Sequence, residues 1–188
     1  SLNPASFQFH VHSPPLSTID YGALSPAKSI RMPIVSILAD LDGYTAYIDN
    51  AIKTRNSSDA VRALHVIRGE LHNVLKSDFG GRKVRFVGDC IHGVMACGTG
   101  LTVDKEGSVT EAIRCSVGMS ESLDIIKLHL PDTKPIGLAT GLEFGETPIS
   151  RIGIRGDRSV RVASSGATIT SQILQEQIEN TGLSIGPR

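Results

Sequence analysis

The chain has 188 residues, 40% of them hydrophobic and 20% charged, with 19 basic against 19 acidic side chains; this describes one globular domain long enough to bury a core. A net charge of zero excludes a globally basic nucleic-acid binder or membrane-surface protein, so any anionic ligand must be recognised locally. Cys90, Cys97 and Cys115 are odd in number and lack Cys-x-x-Cys spacing, which argues against a disulfide framework and a zinc site and makes reducing cytoplasm the expected compartment.

No apolar run reaches the roughly 20 residues of a membrane helix, and the first residues lack the charged-then-apolar order of a signal peptide. Residues 1–33 carry five of the nine prolines and no sustained periodicity, so they read as an N-terminal arm or linker ahead of a domain at 34–188. His10 and His12 alternate there as on a short strand and are expected to face solvent.

The run from Val35 to Ala39 is apolar and β-branched and reads as a buried strand that stops on Asp40. Asp42 and Gly43 turn the backbone, and Tyr44, Tyr47, Ile48 and Ala51 then follow helical spacing. This places a carboxylate at a strand end beside the backbone amides of Gly43, Tyr44 and Thr45 at a helix amino terminus, where phosphates are readily held. Asn56 to Asp59 offer caps for a second helix with apolar positions at Ala60, Leu64, Ile67, Leu71 and Val74, while His65 and His72 sit a heptad apart on it.

Phe79-Gly80-Gly81 ends that helix. Residues 82–87 and 90–97 alternate with period two around the turn Gly88-Asp89, a β-hairpin with Asp89 at its tip. Residues 98–107 read as a surface loop, and Ala112, Cys115, Met119, Leu123, Ile126 and Leu130 mark a long amphipathic helix that Pro131 stops. Strands are expected over 136–144, 148–154 and 160–163, and a last helix near 167–179. The order is that of an α+β protein with a ferredoxin-like βαββαβ core followed by extra C-terminal strands and a helix. In that topology the first strand and the hairpin are neighbours, which brings Asp40 and Asp89 to one edge of the sheet. Two such carboxylates can hold a pair of divalent cations, manganese or magnesium, against a triphosphate.

Ala39-Asp40-Leu41-Asp42-Gly43-Tyr44-Thr45 resembles the F-x-D-I-x-G-F-T signature of the class III nucleotidyl cyclases. Gly81 to Asp89 is similar to their G-G-x-x-x-K-x-x-G-D signature, and Gly137 to Gly145 to their G-I-x-x-G-x-V strand. The resemblance implies that Asp40 and Asp89 bind two metal ions with the Leu41 carbonyl as a further ligand, that the following amides hold the triphosphate, and that the product is a 3′,5′-cyclic nucleotide plus pyrophosphate. It also implies a homodimer with active sites at the interface, while the neutral charge and the lack of a long apolar run leave no role expected for nucleic acid or membrane.

Departures from the family pattern carry information. Arg85 stands at the purine-selecting Lys and Tyr44 at the first motif's Phe, while Thr168 and Gln172 replace the Asn and Arg that steady the transition state. Arg155, Arg158 and Arg161 are candidates for the missing cation. Arg85 offers only donors, which suits the O4 of uracil and cannot accept an exocyclic amine; Tyr44 would shrink the pocket further. Both changes favour UTP over CTP, and either over ATP. They also resemble the cyclases of bacterial Pycsar anti-phage defence, whose cyclic UMP or cyclic CMP acts as an alarm signal. The alternatives are a purine cyclase and a degenerate domain serving as a nucleotide sensor or dimerisation module. Arg155-Gly156-Asp157 and Gly98-Thr99-Gly100 are set aside as an adhesion tripeptide and a phosphate loop, the latter because it lacks the Lys-Ser/Thr ending.

Overall fold

The computed structural model describes residues 8–20, 24, 28–154 and 158–188. The fold is built on β2 (Lys28–Asp40), which is 13 residues long. Its side chains alternate between two cores. Val35, Ile37, Ala39 and Leu41 point into one core, and Met32 and Ile34 into the other. The second face continues through Ser36 and Leu38 to Asp40, so the acid ends the face that lacks the large helices.

Helices α1 (Tyr44–Lys53) and α2 (Ser57–Asn73) follow β2, and a wider helical turn at Val74–Asp78 leads into β3 (Arg82–Val87) and β4 (Cys90–Met95). A small hairpin, β5 (Cys97–Gly98) with β6 (Val103–Asp104), precedes α3 (Lys105–His129). Then come β7 (Ala139–Ile154), β8 (Arg158–Ala163), α4 (Gly166–Glu176) and β9 (Gly182–Ile185). The main sheet runs in the order β3-β4-β2-β7-β8, with β1 (Gln8–Val11) alongside β2 and β9 alongside β7. Its core order β3-β4-β2-β7 is the ferredoxin-like arrangement expected from the sequence, and β2 pairs antiparallel with β4 from Val35↔Met95 to Ala39↔Ile91. On the helix side, Ile67, Leu71 and Val74 meet Ala112, Cys115, Met119, Leu123 and Ile126, the positions that helical spacing marks.

Four elements differ from expectation. First, β2 begins at Lys28 rather than 34, because Lys28 to Arg31 pair with β1 and Ser29 pairs with Ser150 of β7. Leu16, Ile19 and Leu24 close the second core beneath this extension; their irregular spacing among prolines leaves no period to read. Second, β7 is one continuous strand where two were expected. Pro148 sits one residue beyond the β8 ladder, which ends at Ile149↔Ala163, so its missing N–H costs that ladder nothing. Third, the expected loop at 98–107 holds the short hairpin β5-β6, and α3 starts inside it at Lys105 because Asp104 Oδ1 accepts the Gly107 N–H at 3.0 Å and caps the helix. Fourth, α4 stops at Glu176 and the short strand β9 follows it, too brief for its alternation to stand out.

Candidate active site

Asp40 ends β2 opposite Ala139 of β7, and Asp89 lies in the turn between β3 and β4, where Gly88 has φ +58°. The hairpin register carries the two acids to the same sheet edge. Burial pushes the Asp40 carboxyl up to about 6, and the charges of Asp89 and Asp42 add to the shift, against a lowering hydrogen bond from the Leu41 backbone. Among the described residues neither Asp40 nor Asp89 has an ion-pair partner. A close pair of uncompensated carboxylates fits a cation better than it fits an empty site.

Asp42 belongs to the scaffold: its Oδ2 accepts the Asn180 N–H at 2.8 Å and its carbonyl accepts the Gly137 N–H at 2.9 Å. Among the described residues no group of three or more His, Cys, Asp or Glu is placed to hold an ion. Any ion here therefore draws on the two carboxylates plus backbone and substrate oxygens. The Leu41 carbonyl accepts the Tyr44 N–H at 3.2 Å and keeps a second lone pair. Of the three amides expected to meet phosphate, that of Tyr44 is thus used within the turn, while Gly43 and Thr45 are exposed. Gly43 adopts φ +78°, and a Cβ there would lie 3.1 Å from the Pro135 carbonyl oxygen, so this turn requires glycine.

A cavity of about 370 Å³ opens from Asp40 between the sheet and α4, with Arg85, Cys90, His92, Thr168 and Gln172 in its walls. Arg85 pairs across the hairpin with His92 after a register shift between Lys83 and Arg85. The Arg85 Nε is buried with no hydrogen-bond partner. Tyr44 does not line this cavity: its ring packs in the helix-side core, on the other face of the sheet, and its hydroxyl is held protonated by burial and by the charge of Asp89. Cys90, pushed up to about 12 by burial and by Asp40 and Asp89, stays a thiol.

Thr168 and Gln172 both reach the cavity, and Gln172 Nε2 donates to Glu176 Oε1 at 2.8 Å. Arg155 lies outside the described residues, as does the side chain of Arg158. Arg161 lines a different cavity with His72, Lys76, Arg82 and Lys83.

Sequence reasoning missed His92 and Ser36, whose periodicity marks only a buried strand position. His92 is 3% exposed. Its Nε2 lies 3.2 Å from Ser36 Oγ, which lies 3.0 Å from Ser171 Oγ on α4. Burial first, then the Arg85 charge, lowers His92 to about 4, so it is neutral at pH 7. The unfolded chain protonates it near 6.5, and stability is therefore lost as pH falls from 6.5 towards 4. His92→Gln should flatten that acid limb by about 2 kcal/mol, measured as the difference in urea-unfolding free energy between pH 7 and pH 4.5. Equal losses in variant and parent would contradict the assignment.

No protein-family model matches the chain. A class III adenylyl cyclase-like ATP-binding protein from Pseudomonas aeruginosa superposes with a TM-score of 0.89 at 38% identity, over 97% of this chain and 39% of that one. The adenylyl cyclase CyaB of the same organism shares the fold at a TM-score of 0.70 and 15% identity, over 83% of this chain and 78% of that one. Sheet order, strand-end acids and these likenesses place the chain in the class III nucleotidyl cyclase family. Its curated relatives include a protein named uridylate cyclase from a Rhizobium species, 48% identical over 97% of this chain, and another so named from P. aeruginosa, 40% identical over 98%. The chain spans 35% and 36% of their lengths.

Proposed function

We propose that the domain is a uridylate cyclase, converting UTP to 3′,5′-cyclic UMP and pyrophosphate. The observation that carries this reading is the cavity with Asp40 at one end and, in its wall, a guanidinium whose Nε has no partner beside a neutral imidazole. Arg85 donates to a uracil carbonyl, and neutral His92 can accept from N3–H. Cytosine presents an exocyclic amine and a bare N3 instead, so it gains less from the same pair. The naming of both curated relatives supports the same substrate.

Asp40, Asp89 and the Leu41 carbonyl would hold two divalent cations, manganese or magnesium, which supply charge neutralisation on the triphosphate and acidify the attacking 3′-hydroxyl. Gly43 and Thr45, exposed at the start of α1, would offer their amides to phosphate oxygens, and α4 forms one wall of the cavity. A homodimer would complete the site: Val87, Val160, Ile169 and Ile173 are about half exposed, on the elements that border the cavity, and would be covered by a second copy. By its resemblance to the Pycsar cyclases, the product would serve as a cytoplasmic alarm signal in anti-phage defence.

The test is incubation with manganese and each of the four ribonucleoside triphosphates, with products identified by mass. Cyclic UMP is the expected main product, and Arg85→Ala should cut the preference for UTP over CTP about tenfold, roughly the 1.4 kcal/mol of one charged hydrogen bond. Cyclic AMP as the main product would contradict the pyrimidine reading. A second reading, a nucleotide sensor, is favoured by the Gln172 amide being engaged with Glu176; triphosphate binding with no cyclic product would support it.

A further inference from the structure

At the outer edge of β3, between the end of α2 and β8, a cavity of about 230 Å³ is lined by His72, Lys76, Arg82, Lys83 and Arg161. It adjoins a second of about 360 Å³ that shares His72 and Lys83 and adds Arg68 and Phe86. Among the described residues no carboxylate lines either one. Arg68 and Lys83 stand 4.1 and 4.4 Å from the Phe86 ring centroid, and the Arg82 guanidinium donates to the Ser17 carbonyl at 3.0 Å. Among the described residues none of Arg68, Lys76, Arg82 and Lys83 forms an ion pair.

The concentration is local, because the chain as a whole is neutral. Its members oppose one another: burial and then Lys83, Lys76 and Arg161 lower the His72 pKa, and burial and then Arg161 and Arg68 lower that of Lys83. The Nδ1 of His72 is buried without a hydrogen-bond partner. Like charges gathered around a concavity destabilise the empty fold and attract a multivalent anion. At roughly 30 Å³ per water molecule the smaller cavity admits several oxygens, enough for a diphosphate and too few for a whole nucleotide. Both cations on Phe86 occupy the aromatic surface on which a base would stack.

We propose that the His72, Lys76, Arg82, Lys83 and Arg161 cavity is a second anion site, built for a phosphate-type polyanion of diphosphate size. It is separate from the acid pair. Arg82 and Asp89 bracket β3, and at about 3.3 Å per residue they stand roughly 20 Å apart; Lys83 and Arg85 face opposite sides of the sheet. The occupant is either free pyrophosphate or the phosphoryl end of a nucleotide that projects out of the cavity.

Calorimetric titration of the protein in EDTA, where metal-dependent binding at the acids is suppressed, tests this with pyrophosphate and UTP in separate arms and sodium chloride at matched ionic strength as control. One saturable site is expected. Its affinity should fall at least tenfold in the Lys76→Ala/Arg82→Ala double variant and in Lys76→Glu, whose exposed side chain makes no hydrogen bond among the described residues, and should be unchanged in Asp40→Asn. The His72 ring protons should titrate at higher pH with pyrophosphate bound. Tighter binding of pyrophosphate than of UTP identifies the free anion as occupant, and equal binding identifies the phosphoryl group. Unaltered affinity in both Lys76 variants, loss in Asp40→Asn instead, or a response that chloride reproduces would overturn the proposal. None of these outcomes depends on which nucleotide the domain cyclises.

Discussion

Asp40→Asn and Asp89→Asn are each expected to lower cyclic nucleotide production at least a thousandfold while raising the thermal stability of the metal-free protein at pH 7. Loss of activity follows if each carboxylate anchors cations that contribute several kcal/mol to the transition state, since every 1.36 kcal/mol is a factor of ten. The gain in stability follows from the same geometry. The Asp40 carboxyl sits at about 6 in the fold, up from 3.8, through burial and the charge of Asp89. A raised acid penalises the fold as pH climbs from 3.8 to 6, and the penalty is complete above 6. The group is partly exposed, so solvent screening leaves about 1 kcal/mol, or roughly 2–4 °C in Tm for a domain of this size. Scanning calorimetry at pH 7 and pH 4 without metal reads both parts: the gain should be present at pH 7 and absent at pH 4. A variant no more stable than the parent at pH 7 would mean that the acids have a compensating partner and are poor candidates for holding ions.

The second large effect is expected at Gly141, where α4 crosses β7. A Cβ there would run into the Ser171 carbonyl oxygen and lie 2.7 Å from the Gln175 nitrogen, backbone atoms that cannot turn aside. Gly141→Ala therefore has to lift α4, which carries Thr168, Gln172 and the Ser171 hydroxyl that joins Ser36 and His92. Overpacking of this kind costs about 3 kcal/mol, a fall of roughly 6–12 °C in Tm, and the displaced helix should also weaken UTP binding. Gly69 is the control. It lies within α2, and a methyl group there would meet nothing within 4 Å, so Gly69→Ala should stabilise by up to about 1 kcal/mol. Equal effects at the two positions would contradict the close crossing.

The parts of this molecule legible in the sequence are those where one local rule acts alone. The run into Asp40 reads as a strand because both of its faces are buried, and α3 because its apolar positions from Ala112 to Leu130 keep helical spacing over about five turns. Turn chemistry at Gly88-Asp89 sets the hairpin, and the hairpin sets the meeting of Asp89 with Asp40. What stayed hidden depends on partners far along the chain. Lys28 to Pro33 extend β2 only because β1 and the far half of β7 are there to pair with them. Tyr44 follows the acid motif directly, yet the helix it begins turns its ring to the opposite side of the sheet from Arg85. His92 looks like any alternating strand residue until Ser36 and Ser171 come beside it. The basic cavity likewise joins the end of α2, the start of β3 and the middle of β8, three segments with nothing unusual in their separate compositions.

The most direct measurement is anomalous diffraction at the manganese edge from crystals grown with manganese and a non-cyclisable UTP analogue. Two peaks about 3.5–4 Å apart, both bounded by the carboxylates of Asp40 and Asp89 and facing the triphosphate, are the predicted result. Manganese bound elsewhere, or a triphosphate seated away from these two side chains, would contradict the account.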